Sequence, residues 1–324
     1  MKHILITGGA GFIGSHLCDR FLERGYAVTA LDNLITGRKE NLKDAFTHPH
    51  FQFLERDVCD PLWDQDIPQI NPYGLHGVLH FACPASPVDF DQIPFEILAV
   101  DSIGTMHTVK LALSHQARYL LASTSEIYGD PEVHPQPETY WGNVNTLGPR
   151  ACYDETKRFA EAYVSTAERL KGLNSAIVRI FNTYGPRMRV DDGRIVPELC
   201  RRALQGIPLS VHGEGKQTRS FCYVSDLVEG LLRLFESPTH EVVNLGNPDE
   251  KTVLEFAQLI QKITEKSGPI EFLPARQDDP RRRCPDISRA RSLLQWEPQV
   301  GLKAGLQLSL ESFQKQLLFQ KSNR

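Results

Sequence analysis

Short apolar runs alternate with amphipathic helical patterns through the first half of the chain. Residues 12–24 show the helical pattern, because Ile13, Leu17 and Phe21 recur at a spacing that places them on one face, and Gly25 follows where a helix can end. Strands are predicted at residues 3–7, 27–31, 51–54, 77–82, 119–123 and 176–181, and further helices at about 94–115 and 150–170. This alternation indicates βαβ units and a parallel sheet.

The pattern changes after residue 181. Glycine, proline and arginine become frequent at residues 182–193 and 206–218, which predicts long loops and short elements. A last core strand is predicted at residues 242–245 and a helix at 252–266. We therefore predict a first domain over residues 1–181, a segment near 220–247 that returns to it, and a smaller second lobe over most of residues 182–324.

A glycine-rich turn joins the first predicted strand to the first predicted helix. It satisfies both G-x-G-x-x-G and G-x-x-G-x-x-G, through Gly8, Gly9, Gly11 and Gly14. Glycines permit the tight turn and let the backbone approach a pyrophosphate, which the N-terminus of the helix then faces. The turn predicts a dinucleotide site in an α/β fold, a Rossmann-like doubly wound parallel sheet with a smaller C-terminal substrate-binding lobe.

The end of the second predicted strand bears on which dinucleotide binds. Asp32 follows Gly14 by 18 residues, where a carboxylate can hold the hydroxyls of the adenosine ribose. The same carboxylate repels a 2′-phosphate, so NAD is favoured as the cofactor over NADP. Arg38 lies nearby and is of the type that accommodates a 2′-phosphate, which keeps NADP open as the alternative.

Tyr153 and Lys157 are four residues apart on a predicted helix, so they share one face. Such a pair is often only two surface side chains, but here it follows a nucleotide turn and a Ser/Thr-rich strand end. Taking a hydride from a carbinol carbon requires a base for the hydroxyl proton, and a tyrosine with a pKa of about 10 is protonated at neutral pH. An ammonium at about 4 Å supplies roughly the 4 kcal/mol needed to lower that pKa to about 7, and a positive nicotinamide ring adds to it. We therefore predict Tyr153 as a base tuned by Lys157, with Thr124 sharing the substrate hydroxyl.

Composition limits the partners and the compartment. The chain has 41% hydrophobic and 23% charged residues, as globular proteins do, and a net charge of −4 that gives no general attraction to nucleic acid or to an anionic membrane. Seven scattered cysteines without a C-x-x-C pair indicate reduced thiols, so neither a disulfide framework nor a metal site is expected. No apolar run approaches the roughly 18 residues of a membrane helix, and the strand at residues 3–7 leaves no room for a signal peptide. We therefore expect a cytoplasmic protein.

Several longer stretches carry a resemblance to a known family. They are residues 8–17, 121–131, 134–136, 140–145, 148–155, 179–188, 217–221 and 285–287. Through them almost the whole chain resembles the extended short-chain dehydrogenase/reductases and, more narrowly, the UDP-glucuronate decarboxylases (UDP-xylose synthases) of that family. The resemblance implies NAD as cofactor, a UDP-sugar (UDP-glucuronate) as substrate, and a homodimer that pairs through a four-helix interface.

The resemblance also assigns roles to individual residues. Tyr153 and Lys157 match the catalytic base and its helper, with Thr124, Ser125 and Glu126 at the sugar. Cofactor positions are matched by Gly8, Gly11, Phe12, Ile13, Gly14, Asp32, Asn33, Thr36, Gly37, Asp57 and Val58, together with Tyr153 and Lys157. Positions that hold the UDP diphosphate in relatives are matched by Asn182, Arg194 and Arg219.

The run of arginines at residues 281–283 has two interpretations. Such runs are usually a solvated basic patch, but Pro280 and Pro285 flank this one and make a rigid loop. A planar guanidinium suits a carboxylate, and Arg283 matches the arginine that relatives place near the sugar carboxylate. We expect Arg283 alone of the three to be functional.

Four positions depart from the family pattern. Asp101 stands where the family usually has asparagine, Thr156 replaces a glycine inside Tyr-x-x-x-Lys, and Cys83 and Cys284 replace more typical residues. None of these changes removes a catalytic group. A carboxylate at position 101 is expected to perturb the helix packing near the cofactor.

The resemblance implies an NAD-dependent lyase that converts UDP-glucuronate to UDP-xylose through a 4-keto intermediate and regenerates NAD. The alternatives are a nucleotide-sugar 4,6-dehydratase, a 4-epimerase, or an oxidative decarboxylase that releases the UDP-4-keto-pentose. Dehydratase relatives carry an Asp-Glu pair where Ser125 precedes Glu126, and serine is a poor general acid, while epimerase relatives lack the glutamate. An inactive NAD-sensing protein on the same fold is a further alternative, against which Thr124, Tyr153 and Lys157 argue.

Overall fold

The computed structural model describes residues 1–65, 67, 74–264, 267–274 and 282–322. Its strands are β1 (His3–Thr7), β2 (Ala27–Asp32), β3 (Phe51–Glu55), β4 (Gly77–His80), β5 (Arg118–Thr124), β6 (Ser175–Ile180), β7 (Thr183–Tyr184), β8 (Leu209–His212), β9 (Thr218–Ser220), β10 (Cys222–Tyr223), β11 (Val242–Leu245), β12 (Glu250–Thr252) and β13 (Ile270–Leu273). Its helices are α1 (Phe12–Glu23), α2 (Pro87–Gln92), α3 (Pro94–Ala99), α4 (Thr105–His115), α5 (Ala151–Lys171), α6 (Ile195–Gln205), α7 (Val224–Glu236), α8 (Val253–Thr264), α9 (Ser288–Leu294) and α10 (Leu302–Ser322).

Seven parallel strands form the central sheet, in the order β11-β6-β5-β4-β1-β2-β3. Alternate residues of β1 point to opposite faces, as the two-residue period of a strand requires. Ile4 and Ile6 join a core cluster with side chains of α1 and α7, whereas Leu5 joins a second cluster with side chains of α4 and α5. Helices therefore cover both faces, and the Rossmann-like doubly wound sheet predicted from the sequence is confirmed.

The order of the strands determines where a ligand can bind. The chain passes from β1 through α1 to β2 on one side, then crosses to β4 on the other side of β1. Ligands of such sheets bind beyond the carboxyl ends of the strands, at the point where the strand order reverses. Here that point lies beyond Thr7 and His80, the last residues of β1 and β4.

Residues beyond β6 contribute both to the sheet and to separate small elements. β11 pairs with β6 at the edge of the sheet, and α7 packs against α1. Elsewhere β8 pairs with β13, β9 pairs with β12, and α6 packs against α8 and α10. The division into a unit of residues 1–181 and a lobe of residues 182–324 stays a prediction.

The predicted strands and helices are found, with shifts at their ends. The predicted helix 94–115 is interrupted, since α3 is followed by a π-helical turn at Val100–Gly104 before α4 begins. The predicted helix 252–266 ends at Thr264 in α8, and its last two residues lie outside the described part of the chain.

Among the described residues beyond 181, four helices were not predicted, namely α6, α7, α9 and α10. α7 has a polar stripe, with Ser225, Glu229 and Arg233 recurring every four residues on its exposed side, so its pattern could have been recognised in the sequence and was missed. α6 carries Pro197 in its first turn, where proline is tolerated but discourages a helix prediction. Among the described residues, none of the helices combines the length and hydropathy that crossing a bilayer requires.

Candidate active site

A cavity of about 660 Å³ opens at the carboxyl ends of the central strands. That volume lies within the range of small-molecule sites, roughly 300–1,000 Å³. Of the residues that the sequence assigned to cofactor, substrate or catalysis, the cavity is lined by Gly8, Gly11, Phe12, Ile13, Gly14, Asp32, Asn33, Thr36, Asp57, Val58, Thr124, Ser125, Glu126, Tyr153, Lys157, Asn182, Arg194, Arg219 and Arg283. Gly37 is outside this lining and packs directly against the carboxylate of Asp32.

The glycine turn brings the start of α1 to the cavity wall. Gly8 has φ +70°, in the left-handed region that favours glycine, and its carbonyl oxygen accepts a hydrogen bond from Gly11 N at 3.0 Å. A Cβ atom on Gly14 would lie only 2.1 Å from that oxygen, so a larger residue cannot occupy the position without displacing the turn. The close backbone approach and the exposed helix start fit the pyrophosphate of a dinucleotide.

Asp32 lies at the end of β2, beside the glycine turn. Its two carboxylate oxygens accept hydrogen bonds from Ala10 N at 3.0 Å and Leu34 N at 2.8 Å. Burial raises the pKa of Asp32, and these backbone donors oppose the change. Arg38, which kept NADP open, donates to Gln316 Oε1 at 3.1 Å and to the Arg187 carbonyl. A carboxylate therefore lies at the position of the adenosine ribose, while Arg38 is engaged by other protein groups, and this arrangement fits NAD.

Tyr153 and Lys157 lie on the same face of α5, as their spacing predicts. The Tyr153 ring stacks on Phe90 with centroids 5.1 Å apart, and the Lys157 Nζ atom lies 5.7 Å from the Tyr153 ring centroid. The Tyr153 hydroxyl is also hydrogen-bonded to Thr124, at the end of β5. The base, the ammonium and the second hydroxyl thus meet in one wall of the cavity.

Lys157 acts on the pKa of Tyr153 in the expected direction, but other influences outweigh it. Burial raises the pKa of Tyr153, and Cys83 and Asp101 raise it further. The Lys157 ammonium lowers the pKa but does not offset these effects, so the pKa of Tyr153 lies above its usual value. The contribution of Asp101 follows from its position at Lys157, whose Nζ lies 2.8 Å from Asp101 Oδ1 and donates to the Ala122 carbonyl at 3.0 Å. Burial disfavours the ammonium, yet the Asp101 carboxylate, together with Cys83 and Tyr153, outweighs this and raises the pKa of Lys157. The prediction of an already acidic Tyr153 is therefore wrong for the protein alone.

Glu126 lies between two arginines at the other end of the reaction centre. Arg150 and Arg283 each donate to one of its carboxylate oxygens. Burial alone would raise the pKa of Glu126, but the two guanidinium groups hold it well below its ordinary value. Burial and the charge of Glu126 act in the opposite direction on Asp154, whose pKa is raised. The cavity therefore contains a buried carboxylate that stays ionised and two arginines that face it.

Arg150 is a site residue that the sequence reasoning missed. It occupies the position just before α5, where Ser, Thr, Asp or Asn usually caps a helix, and it makes no side-chain cap. An arginine at such a position is a signal that its side chain serves another purpose. Its cation also lies 5.4 Å from the ring centroid of Phe90, next to Tyr153.

Arg283 reaches Glu126 from a loop near the end of the chain. It is buried, whereas Arg282 is exposed; Pro280 and Arg281 lie outside the described residues. The loop is fixed by Gln136, whose Oε1 accepts from Cys284 N at 2.9 Å and whose carbonyl accepts from Asp286 N at 3.0 Å. Arg283 is therefore held in the cavity by contacts on its C-terminal side.

The arginines assigned to the diphosphate, Arg194 and Arg219, also line the cavity. Arg194 forms a two-point ion pair with Asp192, with Nε–Oδ1 at 2.5 Å and Nη2–Oδ2 at 2.8 Å. Arg219 lies on β9 and donates to the Thr218 carbonyl at 2.7 Å. Asn182 lies between β6 and β7. These side chains can meet an anionic ligand, and their phosphate roles stay proposals.

One group of possible metal ligands occurs in the described ranges. The ligand atoms of His134, Glu250 and Cys284 lie within 4.8 Å of one another. Each has a protein partner: His134 Nε2 and Glu250 Oε2 are 3.1 Å apart, and Cys284 Sγ lies 3.5 Å from the Pro248 carbonyl. These contacts account for the cluster without an ion, and the expectation that the protein uses no metal stays a prediction.

Known proteins of similar sequence include several of one activity. The chain is 49% identical over 323 residues to UDP-glucuronic acid decarboxylase 1 of Danio rerio, covering 100% of this chain and 75% of that protein. It is 48% identical over 314 residues to UDP-glucuronic acid decarboxylase 2 of Arabidopsis thaliana, covering 97% and 68%. The resemblance found in the sequence is thereby confirmed.

Solved structures of similar fold come from NAD-linked UDP-sugar enzymes. UDP-glucose 4-epimerase of Thermotoga maritima, solved with UDP-glucose, matches with a TM-score of 0.88 at 31% identity, over 97% of this chain and 99% of that one. UDP-glucuronic acid 4-epimerase of Bacillus cereus, in complex with UDP-glucuronic acid and NAD, matches with a TM-score of 0.86 at 28% identity and the same coverage. The sequence model of the NAD dependent epimerase/dehydratase family matches residues 4–246. With this match across most of its length, the chain belongs to the NAD dependent epimerase/dehydratase family.

Proposed function

We propose that the protein decarboxylates UDP-glucuronate to UDP-xylose through a 4-keto sugar and regenerates its NAD, so that it is a lyase in net effect. The observation that carries the proposal is the placement of Glu126, Arg150 and Arg283 in the same cavity as Tyr153 and Lys157. This combination provides a base for a hydroxyl and a charged pocket for a carboxylate. The decarboxylases among the relatives support it.

NAD would be held by the glycine turn, by Asp32 at the adenosine ribose and by Lys157 on the nicotinamide side, and when bound it supplies a reversible hydride acceptor for C4 of the sugar. Tyr153 takes the proton from the C4 hydroxyl as that carbon is oxidised. The resulting ketone is β to the carboxylate on C5, so loss of CO2 leaves an enolate whose charge rests on the C4 oxygen. The hydroxyls of Tyr153 and Thr124 can donate to that oxygen. Protonation at C5 and reduction at C4 then complete the reaction.

Arg283 and Glu126 have opposite effects on the substrate carboxylate. A guanidinium that binds the carboxylate equally in the ground state and the transition state lowers KM but leaves kcat unchanged. Glu126 is an anion that already occupies Arg283 and Arg150, so it competes with the incoming carboxylate. We propose that the remaining repulsion favours departure of the carboxylate as neutral CO2.

The experiment that tests the function is incubation of the purified protein with UDP-glucuronate and NAD, followed by mass analysis and absorbance at 340 nm. We expect UDP-xylose, release of CO2 and no lasting absorbance change. A keto-pentose with equimolar NADH would indicate the oxidative alternative, and conversion to an isomer of unchanged mass a 4-epimerase. Binding of NAD without turnover of any UDP-sugar would indicate that the protein is an inactive NAD sensor.

We further propose that the protein is a cytoplasmic homodimer. Its cysteines are all free, as suits a reducing compartment. The segment of α3, the π turn and α4 exposes Phe95, Leu98, Ile103 and Met106, and the neighbouring helix α5 exposes Phe159. Exposed apolar side chains gathered on two adjacent helices are a feature of protein interfaces. The same two helices of a second copy would complete a four-helix interface.

A glutamate in place of Phe95 is expected to convert the dimer to a monomer, because it would bury a charge in the apolar interface. Light scattering after size exclusion would measure the mass. Phe272→Glu is the matched control, since Phe272 is also exposed but lies on β13. A monomeric wild-type protein, or a Phe95→Glu variant that remains dimeric, would contradict this interface.

A further inference from the structure

Three of the four departures from the family pattern meet at a single carboxylate. Asp101 Oδ2 accepts from Cys83 Sγ at 3.1 Å and lies 3.4 Å from Thr156 Oγ1, and its Oδ1 lies 2.8 Å from Lys157 Nζ. The three unusual residues lie in different segments: the loop after β4, the π turn and α5. Cys83 and Thr156 thus border the carboxylate that pairs with Lys157, and Asp101 alone of the three unusual residues brings a charge to the lysine that serves the catalytic tyrosine.

The backbone at Asp101 allows this contact. Asp101 lies in the π-helical turn at Val100–Gly104, and such turns occur often at functional sites. Its side chain is fully buried, and the side chain of Lys157 is only 4% exposed. The sequence led us to expect a disturbance of helix packing from this carboxylate. The structure shows instead an anion paired with the Lys157 cation, with Cys83 Sγ as a neutral donor and with the Thr156 hydroxyl beside it, which donates at 2.5 Å to the Cys152 carbonyl.

The groups that face this pair from the surrounding elements are neutral near pH 7. Burial lowers the pKa of His80 on β4 to about 3, with Lys157 adding to the effect, so the imidazole is uncharged. Burial also raises the pKa of Cys59, to about 12, and of Cys83, and Asp101 adds to both changes. Burial also raises the pKa of Tyr119 on β5. The electrostatic influence on Tyr153 from this side therefore comes mainly from one positive and one negative charge.

We propose that Asp101 is a positioning residue whose carboxylate anchors the Lys157 ammonium and sets a more alkaline working range for Tyr153 than a neutral amide would. The inference rests on the proposed function, in which Tyr153 is the base. A positive charge beside a phenol favours the phenolate, and a negative charge close to both disfavours it. The Asp101 carboxylate thus cancels part of the stabilisation that the Lys157 ammonium would otherwise give to the Tyr153 phenolate. It also occupies one of the three donors of the ammonium, while Ala122 O occupies a second.

The test compares wild type with Asp101→Asn, which keeps the shape of the side chain and removes its charge. Without the anion, Lys157 acts on Tyr153 unopposed, so the acidic limb of the pH profile of kcat should move down by about one pH unit. Thr156→Val is the matched control: it removes a contact to the same oxygen but leaves the charge, so its profile should follow wild type. An Asp101→Asn profile that coincides with wild type would overturn the proposal.

A second measurement does not depend on turnover. The ultraviolet absorbance of tyrosinate, titrated without cofactor and corrected by the same titration of the Tyr153→Phe variant, reports ionisation of Tyr153 alone. Asp101→Asn should ionise at lower pH than wild type, and equal titrations would again overturn the proposal. If the protein failed to act on UDP-glucuronate, the proposed function would fall while this titration still decided the role of Asp101.

A merely structural role for Asp101 makes a different prediction. It would lower the melting temperature and kcat together without moving either the pH profile or the tyrosinate titration. Should the asparagine variant not fold, Asp101→Ser removes the same charge with a smaller side chain and serves in both measurements. The same downward shift is expected for it.

Discussion

Phenylalanine in place of Tyr153 should lower the rate of UDP-xylose formation about 10³-fold, because it removes the base that takes the C4 proton. The ring itself should stay in place, since it stacks on Phe90 and is buried beneath the cavity wall. The loss should therefore appear in kcat rather than in folding or in substrate affinity. Product formation by mass and single-turnover absorbance at 340 nm would measure it.

Tyr163→Phe provides the control for that experiment. Tyr163 lies on the same helix, α5, but it packs against Phe159 on the other side of the cavity wall. Its loss should leave turnover within about twofold of wild type, as substitutions away from a reaction centre usually do. If the Tyr153→Phe variant oxidised the sugar at an undiminished single-turnover rate, Tyr153 would not be the base.

Glutamine in place of Glu126 should tighten binding of UDP-glucuronate about tenfold and slow its decarboxylation about 100-fold. In wild type the carboxylate of Glu126 occupies Arg150 and Arg283, so the substrate carboxylate must compete for them. The neutral amide of glutamine would no longer compete with the substrate carboxylate for the arginines. It would also remove the repulsion between Glu126 and the substrate carboxylate, which is relieved when CO2 departs. A decrease in both kcat and KM on substitution indicates that ground-state strain has been removed.

Binding of UDP-xylose tests the same explanation without any turnover. This product has no carboxylate, so its affinity should be the same in wild type and in Glu126→Gln. The variant should also unfold more easily, by about 3 kcal/mol, because the buried Arg283 and the partly exposed Arg150 lose their common anion. Glu155→Gln, at a partly exposed position on α5, is the control for stability. Weaker binding of UDP-glucuronate to Glu126→Gln would show that Glu126 supports the substrate carboxylate.

The sequence was most informative where a function needs residues that are close along the chain. The glycine turn between β1 and α1 and the Tyr153–Lys157 spacing on α5 are local patterns, and their geometry follows from the period of a strand or helix. The parallel sheet could likewise be predicted because each of its strands is a short apolar run. α7 was missed although Ser225, Glu229 and Arg233 mark an exposed face, because the glycine-rich stretches before it led us to expect loops and short elements.

Contacts between distant parts of the chain could not be predicted from sequence patterns. Arg283 and Glu126 are 157 residues apart, and only the fold brings them together. Asp101 was recognised as unusual, but nothing in the sequence indicated that its carboxylate would meet Lys157. The pKa of Tyr153 was misjudged mainly because the burial of its ring was not counted, and also because Lys157 was treated as free when it has a buried anionic partner.

The position of β11 has a consequence for how the molecule can be made. This strand covers the edge of β6, yet it is synthesised more than sixty residues later, after α6 and α7. Until Val242–Leu245 leaves the ribosome, the unpaired backbone of β6 is a template for strands of other nascent chains. A fragment that ended at residue 181 would keep that edge open permanently, so we expect it to aggregate even though it contains the entire glycine turn and both residues of the Tyr–Lys pair.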